Sequence, residues 1–200
     1  MVNVLNSRDG YNLYAREYGK DHERLDAFDR EVFRSLLPVA EIDISMDIGV
    51  GDGRISGDLQ RISRRMVGVD IASAMLTQAA VRMPKMELVC ADMTMPFPFA
   101  DQQFDLIVAA FFFVHVPDPH PVLEEVYRVL KPGGRFIFNL IPQRREMELR
   151  VDRQRFKIKS WYHSPPQVEK SLDYHWFDWA VETVSEGKGW ISKVYSCVRT

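Results

Sequence analysis

The stretch from Ser45 to Ser56, SMDIGVGDGRIS, carries glycines at 49, 51 and 53, with Asp47 and Asp52 among them. Alternate glycines leave a backbone with no side chains in the way, so a ligand can lie directly against it. Such a turn suits a nicotinamide dinucleotide, a flavin or a tight structural bend. The dinucleotide fingerprint wants a glycine where Arg54 stands, and no Gly-Lys-Ser/Thr follows to cradle a triphosphate. A pyrophosphate beside two carboxylates in a partly dehydrated crevice is disfavoured by charge, so the expected occupant of this turn is a cation. About twenty residues on, MVGVDIASAM offers Asp70, placed to accept hydrogen bonds from both hydroxyls of a ribose. LVCADMTMPF adds Asp92, an acceptor suited to an adenine amino group, and Met93, an apolar surface for a flat ring. Any one of these acids could be an ordinary turn or helix-cap residue. Three in register at the ends of three successive apolar runs mark one site.

The elements that position them are short apolar runs, ISMDIGV, MVGVDI, MELVCAD, FDLIVAAFFF and GGRFIFNLI, separated by helical patterns such as ASAMLTQAAVRM and PVLEEVYRVLK. Strands alternating with helices at this spacing imply an α/β fold with a parallel sheet covered on both faces. Leu25, Phe28, Val32, Phe33, Leu36 and Leu37 form one helical stripe that Pro38 ends. Pro119 or Pro121 opens a helix that KPGG stops, and Ser164 with Gln167 forms a capping box ahead of a last helix from Pro165. WAVETVSE and WISKVYSCVR, joined through Gly187, Lys188 and Gly189, predict a C-terminal antiparallel hairpin.

Composition sets the bounds. Two hundred residues with 46% hydrophobic content suit one domain, and a net charge of −2 provides no global field for nucleic acid or an anionic membrane. Cys90 and Cys197 both sit in strand-like runs and read as buried thiols in a reducing, cytoplasmic setting, and no metal cluster is expected. No run resembles a signal peptide or a membrane span.

In order along residues 45–140, MDIGVGDGR, VGVDIASAML, CADMTMPFPFADQQFDLIVAAFFFVHVPDP and LEEVYRVLKPGGRFIF resemble the class I S-adenosylmethionine-dependent methyltransferases, in the small-molecule group that includes the ubiquinone/menaquinone C-methyltransferases. The lead-in GYNLYAREYG is similar to that of many such enzymes. The resemblance implies a Rossmann-like, mostly parallel seven-stranded sheet. It also implies one domain of four parts: a helical lead-in or lid (1–40), a cofactor-binding core (45–140), a variable acceptor-side segment (141–165), and a last helix with the hairpin (166–200). S-adenosylmethionine, a sulfonium with an ammonium and no phosphate, answers the charge at the turn, and S-adenosylhomocysteine is its product. By this resemblance Gly49 and Gly51 admit the methionine moiety, and Asp47 and the Ala109 carbonyl serve the ammonium. Asp70 holds the ribose, Asp92 takes the adenine amino group, and Ile71 and Met93 sandwich the ring.

Methyl transfer needs alignment and exclusion of water, with a base only where the acceptor must lose a proton. His115 is the candidate base, and Tyr11 and Tyr18 are candidates to close over the cofactor. The acceptor is expected to be a small molecule. The segment from Arg144 to Lys159 has seven Lys/Arg against three acids, with alternation at Phe156 and Ile158, and reads as a hairpin, either solvated or facing an anionic acceptor. His163 and His175 read as structural or exposed, not catalytic. The alternatives are a nucleic-acid methyltransferase, disfavoured because VAAFFFVH lacks an Asn/Asp-Pro-Pro-aromatic motif, and a binding or regulatory protein of the same fold without turnover.

Overall fold

The computed structural model describes residues 2–175, 177–187 and 189–200. In chain order the elements are β1 (Asn3–Leu5), α1 (Ser7–Tyr18), α2 (His22–Leu36), β2 (Ile42–Ile48), α3 (Ser56–Gln60), β3 (Ser63–Asp70), α4 (Ser73–Arg82), β4 (Glu87–Cys90), β5 (Phe104–Ala109), α5 (Pro119–Val129), β6 (Leu130–Leu140), β7 (Glu148–Val151), β8 (Gln154–Ile158), α6 (Pro165–Tyr174), β9 (Phe177–Glu186) and β10 (Gly189–Arg199). Seven strands form one sheet in the order β4-β3-β2-β5-β6-β10-β9. The pairs from β4 to β6 are parallel, while β10 runs antiparallel to both β6 and β9, giving the expected hairpin. Lys188 of its turn lies outside the described residues.

The chain lays down β2, moves out through β3 to β4, then returns to place β5 on the other side of β2. The strand order therefore reverses between β2 and β5, and helices on the two faces part there to leave a crevice at the carboxyl ends. Side chains alternate across the sheet as the pleat requires. Ile107, Phe136 and Phe138 pack on one face with Leu123, Val126 and Tyr195, whereas Leu106, Val108 and Ile137 pack on the other with Phe33, Leu59 and Leu76.

A second sheet, in the order β1-β8-β7, was only half foreseen. The basic segment does form a hairpin, β7 against β8, but the chain start is a strand, not helix, and pairs parallel with β8 through Asn3 to Leu5. Three residues are too few for an alternation to show in sequence. Helix α6 begins at Pro165 as expected, yet the Ser164 hydroxyl makes no cap bond; the turn is closed by its carbonyl, which accepts from the Gln167 N–H at 3.0 Å. Cys197 is buried but Cys90, at the end of edge strand β4, is exposed.

The small sheet fixes α1 over the crevice. Gly10, the fourth residue of α1, is buried, and a Cβ there would lie 2.5 Å from Cγ1 of Ile158. At the other side of α1, the Asn12 side-chain oxygen accepts from the Ala74 N–H at 2.9 Å, pinning the helix to α4. Alanine in an exposed helix gains about 1 kcal/mol over glycine. Here overpacking outweighs it, and Gly10→Ala is expected to cost about 1–3 kcal/mol in chemical denaturation, with Ile158→Ala recovering part of the loss in the double variant.

Candidate active site

A cavity of about 510 Å³ opens at the carboxyl ends of β2 to β5, beneath α1. Of the residues singled out in sequence, Gly49, Gly51, Asp70, Ile71, Asp92, Met93, Tyr11, Tyr18 and His115 line it; Asp47 and Ala109 do not. Gly49 and Gly51 both have positive φ, +69° and +57°, and a Cβ on either would press on Phe112 or Met75 at 3.2 and 3.3 Å. No other residue type makes this turn at low cost.

Asp70 ties the turn to β3. One carboxylate oxygen accepts from the Gly51 N–H at 2.9 Å and the other from the Ala72 N–H at 2.8 Å, and each keeps a second lone pair. Burial pushes its pKa up, while those two bonds pull it back. Asp92 folds into a turn in which a single oxygen, Oδ1, accepts from both the Thr94 N–H and the Thr94 hydroxyl. Its Oδ2 has no protein donor among the described residues. Met93 is buried and Ile71 half-buried, both at the cavity wall.

The two acids on which the charge argument first rested lie elsewhere. Asp47 is 1% exposed and accepts from the Ser56 hydroxyl at 2.7 Å, and burial raises its pKa to about 7. Asp52 is held by His22 at 2.9 Å and Arg82 at 3.2 Å, where α2 meets α4. The Asp52 pairing is not visible locally, because His22 and Arg82 come from distant segments, whereas Ser56 lies in the same glycine-rich stretch as Asp47. The charged lining of the cavity is instead Asp9, Asp70 and Asp92 against Arg8, an acidic balance that still favours a cation. Ala109 is 1% exposed and paired with Phe138; the next residues, Ala110 to Phe112, form the rim.

The sharpest polar geometry is at the roof. His115 Nδ1 lies 3.2 Å from the Lys159 carbonyl and Nε2 lies 2.7 Å from the Tyr11 hydroxyl. A carbonyl can only accept, so Nδ1 carries the proton and Nε2 receives the Tyr11 O–H. Burial lowers the His115 pKa to about 4, opposed by the Lys159 carbonyl, and burial raises that of Tyr11. Tyr18, edge-on to Tyr11 at 6.0 Å, is pushed by burial to about 12. His163 Nε2 lies 2.9 Å from the carbonyls of Phe113 and Val116, and the His175 ring lies 4.5 Å from that of His120 at a tilt of 39°.

Tyr11, Tyr18, Phe111 and His115 form a wall whose far side faces a second cavity of about 60 Å³, bounded also by Arg24, Gln143, Met147 and Leu149. Sequence reasoning passed over Arg8, Thr94 and Trp161, which line the large cavity, and Asn139, which hydrogen-bonds the Phe111 N–H at 2.7 Å. A lone asparagine in the apolar run RFIFNLI was the available signal.

Comparison with known proteins agrees with this architecture. The family described as a methyltransferase domain matches residues 46–138. This stretch is similar to a methyltransferase domain. It is 36% identical over 107 residues to the demethylmenaquinone methyltransferase of Clavibacter sepedonicus, covering 52% of this chain and 43% of that one. The malonyl-[acyl-carrier protein] O-methyltransferase of a Marinomonas species is 30% identical over 114 residues, covering 54% and 42%. The chain thus spans less than half the length of these relatives. The solved DhpI–SAM–HEP complex superposes with a TM-score of 0.75 at 19% identity over 94% of each chain, and shares the fold of the methyltransferase domain with its flanking elements.

Asp70 belongs to the domain's framework as well as to its cavity wall. Asp70→Ala removes the acceptor of two buried backbone N–H groups and is expected to cost about 1–3 kcal/mol in thermal or chemical melts, with Asp70→Asn intermediate.

Proposed function

We propose that the protein is an S-adenosylmethionine-dependent methyltransferase acting on a small-molecule acceptor. The observation that carries this reading is the donor set of the large cavity, a Gly49–Gly51 turn facing Asp70 and Asp92 at the strand-order reversal. Carboxylates with spare acceptor sites fit ribose hydroxyls and an adenine amino group, and among the described residues of the lining Arg8 stands against three acids, a poor place for phosphate. The family match and the likeness to a fold that holds S-adenosylmethionine in DhpI support the same cofactor.

In this reading Asp70 accepts from the ribose, Asp92 Oδ2 from the adenine amino group, and Ile71 and Met93 flank the ring. The methionine end lies along the glycine turn. With Asp47 and Ala109 beneath the surface, its ammonium meets the backbone of Gly49 and Ala110, and Asp47 acts on it only through space. S-adenosylmethionine supplies a methyl group activated by the sulfonium to which it is bonded. The chain's own part is to align the acceptor and exclude water, which α1 and Trp161 do from above. Tyr11 and His115 supply the proton path: an acceptor proton passes to the Tyr11 oxygen as the Tyr11 proton moves to His115 Nε2, leaving an imidazolium held by the Lys159 carbonyl. Neutral, with its proton fixed on Nδ1, His115 has Nε2 free to accept, while the burial that lowers its pKa to about 4 disfavours the imidazolium and suits an acceptor whose proton is itself acidic.

The small cavity beyond the wall is the acceptor side, and the basic hairpin, which reaches it through Met147, Leu149 and Ile158, covers it. The relatives are named for a quinone precursor and an acyl-carrier-protein ester, and a small or carrier-bound acceptor is proposed here by that likeness. No described helix is long and apolar enough to cross a membrane, and a cytoplasmic setting belongs to the same proposal.

The test is release of S-adenosylhomocysteine from S-adenosylmethionine across a panel of phenol, carbon-acid, carboxylate and amine acceptors. Tyr11→Phe and His115→Ala are expected to lower turnover by about 10²–10⁴-fold with little change in cofactor affinity. Because His115 titrates near 4, turnover should not fall from its protonation until the pH is well below 6. Full turnover in both variants would remove the proton path, and no release with any acceptor would favour a binding protein.

A further inference from the structure

Phe111 has a φ of +56°, a left-handed conformation that a bulky side chain adopts at a cost. It stands two residues beyond β5, where the chain leaves the sheet, and its ring is part of the wall between the two cavities. The conformation is held from behind. The Phe111 N–H donates to Asn139 Oδ1 at 2.7 Å, the Asn139 amide donates to Asp29 Oδ2 at 2.5 Å, and the Ser192 hydroxyl donates to the same oxygen at 3.0 Å. All three supports are buried, Asp29 at 3%, Asn139 at 2% and Ser192 at 0% exposure. They bring α2, β6 and β10 to one point beneath the rim. The ring itself is gripped by Phe28, edge-on at 5.9 Å, and by the Arg54 guanidinium 5.3 Å above it; Arg54 is in turn paired with Asp26 of α2 at 2.6 Å.

Two costs meet here. One is the left-handed aromatic residue. The other is a buried carboxylate whose second oxygen, Oδ1, has no hydrogen-bond partner among the described residues. A core needing only stability would fill this point with apolar side chains and a glycine. Costs of this kind persist where a side chain must be held in one place for function.

We propose that Asp29 and Asn139 are positioning residues that lock Phe111 as the partition between the cofactor cavity and the acceptor cavity, and that this partition sets the size of acceptor able to reach the methyl group. The inference rests on the reading of the two cavities given above. With the lock intact the ring confines the acceptor to a pocket that admits little more than its reacting group; with the ring removed the space it fills opens between the two cavities, beside Tyr11, Tyr18 and His115.

The lock is tested by a double-variant cycle on the full chain. If Asn139 serves to hold Phe111 in its left-handed conformation, glycine at 111, which adopts that φ freely, makes the support dispensable. Asn139→Ala is expected to lower Tm by several degrees in the parent, and by less than half as much in the Phe111→Gly background. Should Asn139→Ala fail to accumulate alone, its recovery as a folded protein with Phe111→Gly supports the lock, and failure in both backgrounds overturns it, as do additive Tm shifts. The partition is tested with indole titrated against protein saturated with S-adenosylhomocysteine. Phe111→Gly is expected to bind it about tenfold more tightly than the parent, since enlarged apolar cavities take up small aromatics. Equal affinity overturns the partition. Saturation is checked by calorimetry first, so that failure of the parent to bind S-adenosylhomocysteine counts against the cofactor reading while the Tm cycle still reports on the lock.

Discussion

The structure turns on one carboxylate. Asp70 accepts the N–H of Gly51 from the turn after β2 and the N–H of Ala72 from the start of α4, so a single buried side chain joins the two segments that make the cavity floor. Backbone bonds from Gly49 and Val50 to the Val69 carbonyl draw the turn down on the same strand. Glycine is required at both positions by the positive φ and by close neighbours, since a Cβ would press on Phe112 or Met75. Desolvating the carboxylate is unfavourable, and the two backbone donors offset the cost while leaving acceptor capacity for a ligand.

The roof is built by a different logic. Helix α1 has a polar sequence and little apolar surface of its own; it is held by the three-stranded sheet beneath Gly10, by the Asn12 bond to α4 and by the Tyr11–His115 bond. The lid and the proposed proton path are therefore the same contacts. Displacing α1 takes the Tyr11 hydroxyl away from His115 Nε2 while the Lys159 carbonyl still fixes the tautomer, so closure of the cavity and completion of the proton path are coupled.

Much of the floor was legible in the sequence, and much of the roof was not. Asp70 and Asp92 could be placed because parallel strands end in register and the glycine turn marks which end. Helices α2, α5 and α6 showed their apolar stripes or their prolines. Asp52 was misplaced because its partners, His22 and Arg82, lie 30 residues away on either side, and only the tertiary fold shows that it is spoken for. β1 was missed because three residues carry no period, and the Asn139 support because its partner Asp29 is 110 residues distant. The exposed Cys90 shows the weakness of reading burial from an apolar run at a sheet edge. Local periodicity reports elements, whereas the pairing of buried polar groups is decided by which elements meet.

The central claim is that the large cavity takes a positively charged adenosyl ligand and not a dinucleotide. Isothermal titration of the parent protein with S-adenosylmethionine, S-adenosylhomocysteine and NAD in parallel tests it most directly. The account predicts micromolar binding of the first two and none of NAD. Binding of NAD, or of none of the three, would contradict it.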